Sequence, residues 1–268
     1  MKFRRLNLLL LVTAAAFLVS GCVKLKHATT VMPDGSGKMT FTVGANKQMQ
    51  QPGQPDMTEV NLLEMNDDSS GFVAYSKPKV TDEGGWKYVT FTAYFDDINK
   101  VRLGKEGEGN QPPATFTFAK EGEGYKLSVT NAMTASMGKG IAEQEDPDPQ
   151  QMAMVQAMLA GFKIEETYEM PGAVSAVPAP GTTEARVATV VVTDADVFNK
   201  AKGKVLVDGN PRAVVSGASE VTEDAMTAWK AEMAAAKVEW AAYKLELEAK
   251  KAAEQAAEEA PAGMGGME

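Results

Sequence analysis

The chain has 268 residues, with 27 Lys and Arg against 36 Asp and Glu for a formal net charge of −9, and it holds one cysteine and one histidine. Phosphate recognition needs clustered Lys and Arg, so nucleic acid is not an expected partner. One Cys and one His allow no intrachain disulfide and no zinc set, and they leave His27 as the sole imidazole for acid-base work.

Lys2, Arg4 and Arg5 precede an apolar run from Leu8 to Val19 and then small residues, the order of an export signal. The run is too short to cross a hydrocarbon core, which takes about 20 residues of helix, so residues 1–21 read as a removable signal. Val19-Ser20-Gly21-Cys22 resembles the lipobox of bacterial lipoproteins: an aliphatic residue, two small ones and the cysteine that is modified. The resemblance implies a diacylglyceryl group on the Cys22 sulfur and acylation of its new α-amine; two or more acyl chains anchor a protein stably. Val23 follows where inner-membrane lipoproteins tend to carry aspartate, which points to the outer membrane, facing the periplasm. Without residues 1–21 the chain keeps 24 Lys and Arg against 36 Asp and Glu, a net charge of −12. An anionic lipid surface would repel that total, so the acyl chains rather than charge should hold the protein there.

Beyond Cys22 the residues from Val23 to Val31 alternate, Pro33-Asp34-Gly35-Ser36-Gly37 makes a turn, and Met39, Phe41 and Val43 alternate again: a hairpin. Asp56 and Glu59 have the spacing of a capping box opening a short helix with Met57, Val60 and Leu63 on one face. Trp86 to Phe95 is the clearest strand, and Asp96 or Asp97 can cap a short helix through Val101. A second hairpin runs from Thr115 to Phe118 through Glu121-Gly122-Glu123-Gly124 to Tyr125, Leu127 and Val129. Residues 131–147 read as loop, and Asp148-Pro149 as the start of a helix with a Met152, Val155 and Leu159 stripe. Phe162 to Met170 alternates as a strand ended by Pro171-Gly172. A strand from Arg186 to Val192, a short helix near Asp194 to Lys202 and weak strands around Val205 and Val214 follow. Hairpin connections and interspersed short helices predict an α+β fold with a largely antiparallel sheet over residues 22–218.

A strand starting directly after the lipobox cysteine, the Asp34-Gly35-Ser36-Gly37 turn, the aromatic strand running into Asp97-Ile98, and Phe162 to Met170 ending in Met170-Pro171-Gly172 together resemble the LppM-type domain of bacterial lipoproteins. The resemblance covers about residues 22–215. It implies an envelope protein without assigned catalysis that contacts envelope lipids, and it brings no site residue with it. Members of that family commonly continue into a membrane-spanning helix, which this sequence is not expected to form.

The C-terminal part, residues 219–251, reads as a long amphipathic helix. Met226, Trp229, Met233, Ala236, Trp240, Tyr243 and Leu247 recur at alternating spacings of three and four, a heptad seam. Glu232, Glu239 and Glu246 flank it on one side and Lys230, Lys237, Lys244 and Lys251 on the other, which selects parallel pairing if copies associate. The helix either joins copies through residues 226–251 or folds back on its own domain. Residues 252–268, an Ala/Glu run and a Gly/Met tail, are too polar to bury a core.

His27 reads as an ordinary strand residue. Glu143, Glu145, Asp146 and Asp148 lack the Gly-centred spacing of a calcium loop. Met152, Met154 and Met158 read as helix core, and Met264 and Met267 as tail, rather than as thioether metal ligands. No catalytic residue, cofactor or metal is expected. The reading is a membrane-anchored, non-catalytic envelope module for a lipid, glycan or protein ligand; the alternative is an envelope hydrolase working through paired carboxylates.

Overall fold

A computed structural model describes residues 23–47, 60, 62–65, 69–104, 112–143, 153, 159–197 and 199–258. Cys22 and the signal of residues 1–21, the capping box at Asp56 and Glu59, the Asp148-Pro149 helix start and residues 259–268 lie outside them.

The fold is α+β and largely antiparallel. Its first sheet contains β1 (Val23–Val31), β2 (Gly37–Asn46), β3 (Ala74–Tyr75), β4 (Lys79–Glu83), β5 (Trp86–Phe95), β9 (Lys163–Glu169), β11 (Thr182–Glu184) and β12 (Val187–Thr193). The strand order is β11-β12-β9-β1-β2-β5-β3, with β4 also paired to β5. The second sheet, in the order β10-β13-β8-β7-β6, contains β6 (Arg102–Leu103), β7 (Ala114–Glu121), β8 (Gly124–Thr130), β10 (Val174–Ala176) and β13 (Arg212–Ser216). Among the described residues four α-helices complete it: α1 (Leu62–Met65), α2 (Met133–Glu143), α3 (Lys200–Asp208) and α4 (Glu223–Glu258). None of the described helices is long and apolar enough to cross a membrane.

Period-two patterning explains the main core. Val31 and Met39 from the first hairpin, Phe95 from β5, Tyr168 from β9 and Phe116, Leu127 and Val214 from the second sheet all bury into one cluster between the sheets. The outward phase of β2 and β5 carries Thr40, Thr42, Thr90 and Thr92, whose hydroxyls pair across the strands at 3.1 and 3.0 Å. Gly37 is required by close approach, since a Cβ there would lie 2.1 Å from the Thr30 carbonyl and 2.5 Å from the Phe95 ring.

Three elements differ from the sequence expectation. Residues 133–143 form α2 rather than loop, and Val205 lies in α3 rather than in a strand. Both have one cause. Gly138 of α2 and Gly203 of α3 meet at the helix crossing, where a Cβ on Gly203 would lie 2.8 Å from the Gly138 carbonyl and one on Gly138 2.5 Å from the Leu206 Cβ. Glycines that weaken a helix locally let these two helices pack backbone to backbone over Ile141, Leu206, Val190 and Val192. Third, β1 pairs in parallel with β9, Lys24 opposite Lys163 through Thr30 opposite Glu169. No hairpin pattern announces this pairing.

The long helix folds back on its own domain. Its seam residues Trp229, Met233 and Trp240 are buried, with Met226, Tyr243 and Leu247 beside them, against Leu62, Tyr75, Phe91 and Tyr94. These side chains therefore meet the chain's own sheet. The flanking charges are used in the same way: Glu232 pairs with Lys38 at 2.7 Å, Lys237 with Asp96 at 2.8 Å and Glu246 with Lys77 at 2.8 Å. A heptad pattern reports a seam and two charged borders; here an aromatic sheet edge flanked by complementary charges satisfies it. The helix also continues to Glu258, into the Ala/Glu run read as tail.

Candidate functional site

The inward phase of three strands carries polar groups where apolar ones are the rule. On β1 the inward residues are Leu25, His27, Thr29 and Val31; on β9 Ile164, Glu166 and Tyr168; on β13 Arg212, Val214 and Ser216. His27, Thr29, Glu166 and Arg212 are all buried, together with Thr134 at the start of α2.

These groups form one connected cluster between the sheets. The Arg212 guanidinium forms a salt bridge to Glu166, with side-chain exposures of 3% and 2%. Arg212 Nη2 donates to Thr134 Oγ1 at 2.8 Å, and the Thr134 hydroxyl donates to Glu166 Oε2 at 2.6 Å. The backbone N–H of Thr134, in the first turn of α2, donates to the other carboxylate oxygen at 3.3 Å, where the helix dipole also favours negative charge. Among the described residues no buried side-chain nitrogen or oxygen lacks a partner. A paired, fully bonded charge can persist in a dry interior, whereas an isolated one cannot. The Tyr168 hydroxyl is pushed far above its ordinary range by burial and then by the Glu166 charge.

His27 lies beside the cluster, its ring stacked on Phe41 at 5.0 Å and its Nε2 3.0 Å from Thr29 Oγ1. Burial lowers its pKa to about 4, against a smaller opposing pull from Glu166. Neutral at pH 7, it is a packed strand residue. The unfolded chain therefore takes up a proton that the folded one refuses as pH falls from the ordinary value near 6.5 toward 4. Stability should drop over that window, by about 2 kcal/mol between pH 7 and pH 5 from this residue. Urea unfolding of the His27→Phe/Thr29→Val double variant, which removes both polar partners, should show that much less pH dependence than the parent; an unchanged profile would remove His27 as its source.

A second feature opens to solvent. The far end of the first sheet and the start of α4 enclose a groove of about 370 Å³ lined by Thr30, Lys38, Glu169, Arg186, Trp229 and Glu232 among others. The Asp34-Gly35-Ser36 turn holds Trp229, one of the lining residues. Gly35 has φ +83, the Ser36 hydroxyl donates to Asp34 at 2.6 Å, and Ser36 Oγ accepts from the Trp229 indole N–H at 2.9 Å. Each carboxylate in the groove has a cation: Glu169 faces Arg186 at 3.5 Å and accepts from Thr30 at 3.1 Å, while Glu232 holds Lys38. Trp229, Val221, Ala225 and Met32 supply apolar wall. The groove thus combines small apolar walls with paired charges.

The structure joins some predicted site residues and leaves another aside. Trp229 lines the groove, and Met226, Met233, Trp240, Tyr243 and Leu247 fasten the same helix to the sheet. Cys22 lies outside the described residues. The interior cluster is not among the residues expected from sequence, yet the sequence carries its signal: Glu166 stands in phase with Ile164 and Tyr168, and Arg212 with Val214. Among the described residues no group of three or more His, Cys, Asp or Glu side chains has the arrangement to hold a metal.

No family model matches the chain, and no curated protein matches it. The NMR structure of the folded domain of Mycobacterium tuberculosis LppM matches it, at 15% sequence identity and a TM-score of 0.33, over 76% of this chain and 93% of that one. It is a domain of the type that the sequence resemblance names.

Proposed function

We propose that this chain is a lipid-anchored protein of the bacterial envelope, held through Cys22 on the outer membrane facing the periplasm. There it acts as a non-catalytic module that takes an envelope lipid, glycan or protein in the groove beneath α4. The observation that carries the reading is the start of β1 at Val23, the residue after the lipobox cysteine. Acyl chains on Cys22 would hold one end of the first sheet at the bilayer and turn the groove, at the other end, toward the periplasm. Glu169 and Glu232 are the carboxylates that a hydrolase would have to use, and their engagement by Arg186 and Lys38 favours binding over acid-base chemistry.

In cells given labelled fatty acid, the full-length protein should incorporate label and fractionate with membranes. Cys22→Ser should abolish the labelling and accumulate the unprocessed form. Undiminished label on that variant would overturn the anchor.

A further inference from the structure

The sheet end from which β1 departs carries basic and aromatic side chains on its outer face. Register places Lys24 beside Lys163 on one flank and Gly44 on the other, Gly44 beside Tyr88, and Asn46 beside Trp86. Lys24 Nζ lies 4.1 Å above the Trp86 ring and 3.4 Å from the Tyr88 hydroxyl. Gly44 makes the room, because a Cβ there would lie 2.6 Å from the Tyr88 ring. Lys26 and Lys163 both reach Glu165, at 2.9 and 2.6 Å, so two ammonium groups share one carboxylate, and with Lys24 they line a hollow of about 170 Å³. Of the neighbouring acids, Asp82 pairs with Lys47 at 2.8 Å, Asp196 with Lys202 at 3.7 Å, and Asp194 accepts from the Gly161 N–H at 2.8 Å, while Glu83, opposite Trp86, adds one negative charge; Lys24, Lys26 and Lys163 still outnumber Glu165 and Glu83. The opposite end of the sheet, by contrast, presents Asp34, Asp96 and Asp97.

We propose that this end of the sheet, with Lys24, Lys26, Lys163 and Trp86, rests on the bilayer and takes the phosphates of anionic phospholipids. The placement rests on the anchor at Cys22; the surface itself does not. An extended residue spans at most about 3.6 Å, so Lys24 lies within about 7 Å of Cys22, the depth of a headgroup layer. The whole-chain charge of −12 does not oppose this, because charges beyond a Debye length of about 8 Å at physiological salt are screened from the lipid. The local balance decides, and it is positive. Tryptophan is at home at the headgroup level, where its ring is half apolar and its N–H is wet.

The test uses the chain from residue 22 onward with Cys22→Ser, which keeps every described residue and carries no acyl group. Vesicles of phosphatidylcholine alone are compared with vesicles of phosphatidylcholine and phosphatidylglycerol. The protein should co-sediment with the second kind only, less as salt rises. Trp229 and Trp240 are 4% and 5% exposed, so a blue shift of tryptophan emission on binding would come from Trp86 and vanish in Trp86→Phe. Lys24→Gln/Lys26→Gln/Lys163→Gln should lower partitioning by about fivefold per lysine, since each basic residue near an anionic surface contributes about 1 kcal/mol. Lys120→Gln/Lys230→Gln, which removes exposed charge elsewhere, should change little. Equal or absent binding of the parent chain to the two vesicle types would overturn the proposal, as would an unaffected lysine triple variant. Because no acyl group is present, such a failure would leave the Cys22 anchor standing; conversely, lost fatty-acid labelling with intact vesicle binding would remove the anchor alone.

Discussion

Replacing Arg212 with methionine is expected to cost about 3 to 5 kcal/mol of stability, because it leaves the Glu166 carboxylate buried without its cation. The donors left on Glu166, Thr134 and Tyr168, are neutral, and the neighbouring His27 could supply a charge only by protonating against its own burial. Exchanging both partners for apolar side chains, Glu166→Leu with Arg212→Met, should recover most of the loss, since the cost lies in the unpaired charge rather than in the absent attraction. Recovery should stop short of the parent, because Thr134 loses its partners. Urea unfolding curves of the three variants decide the matter. A single Arg212→Met variant as stable as the parent would show that Glu166 is not held as a buried ion.

The other large effect is expected where α4 meets the sheet. Trp229→Ala and Trp240→Ala should each cost about 3 to 5 kcal/mol. Trp229 stacks on Tyr94 at 6.1 Å and donates its N–H to Ser36, and Trp240 meets Tyr75 edge-on at 5.1 Å. Eleven residues of helix separate them by about 16 Å, so the two losses should add. The ion pairs along the borders are exposed and contribute well under about 1 kcal/mol each; they set where the helix lies, not how tightly. With its aromatic seam turned inward, the parent protein should sediment as a monomer at high micromolar concentration. A parent dimer that the tryptophan variants lose would mean instead that the seam joins copies.

What could be read from the sequence follows the range over which each pattern acts. The hairpins at residues 23–46 and 114–130 and the strand 86–95 are local, and alternation with turn residues specifies them. The helix from Glu223 was legible for the same reason, but its partner was not: a heptad repeat records the shape of the face that it needs, and a sheet edge carrying Tyr75 and Tyr94 meets that need as well as a second helix. The α2–α3 pair was hidden because glycine is read as a helix breaker, while Gly138 and Gly203 are there for the crossing. The parallel pairing of β1 with β9 joins residues far apart in the chain, beyond any local pattern. For the interior cluster, a glutamate and an arginine at inward positions of two strands are the visible sign; the net charge of a chain carries no information on the phase of the strand that bears each charge.

The bond from Trp229 to Ser36 links residues 193 positions apart. A chain emerges from synthesis or export with its N-terminus first, so β3 and β5 must wait for the last helix before Tyr75, Tyr94 and Phe91 are covered. Contacts of such long sequence separation slow folding, because loop closure must be completed before the contact is gained. Until α4 arrives, the β3 edge and its aromatic rings are open to neighbouring chains. The arrival of the C-terminal helix thus sets how long the unfinished protein exposes an edge open to aggregation.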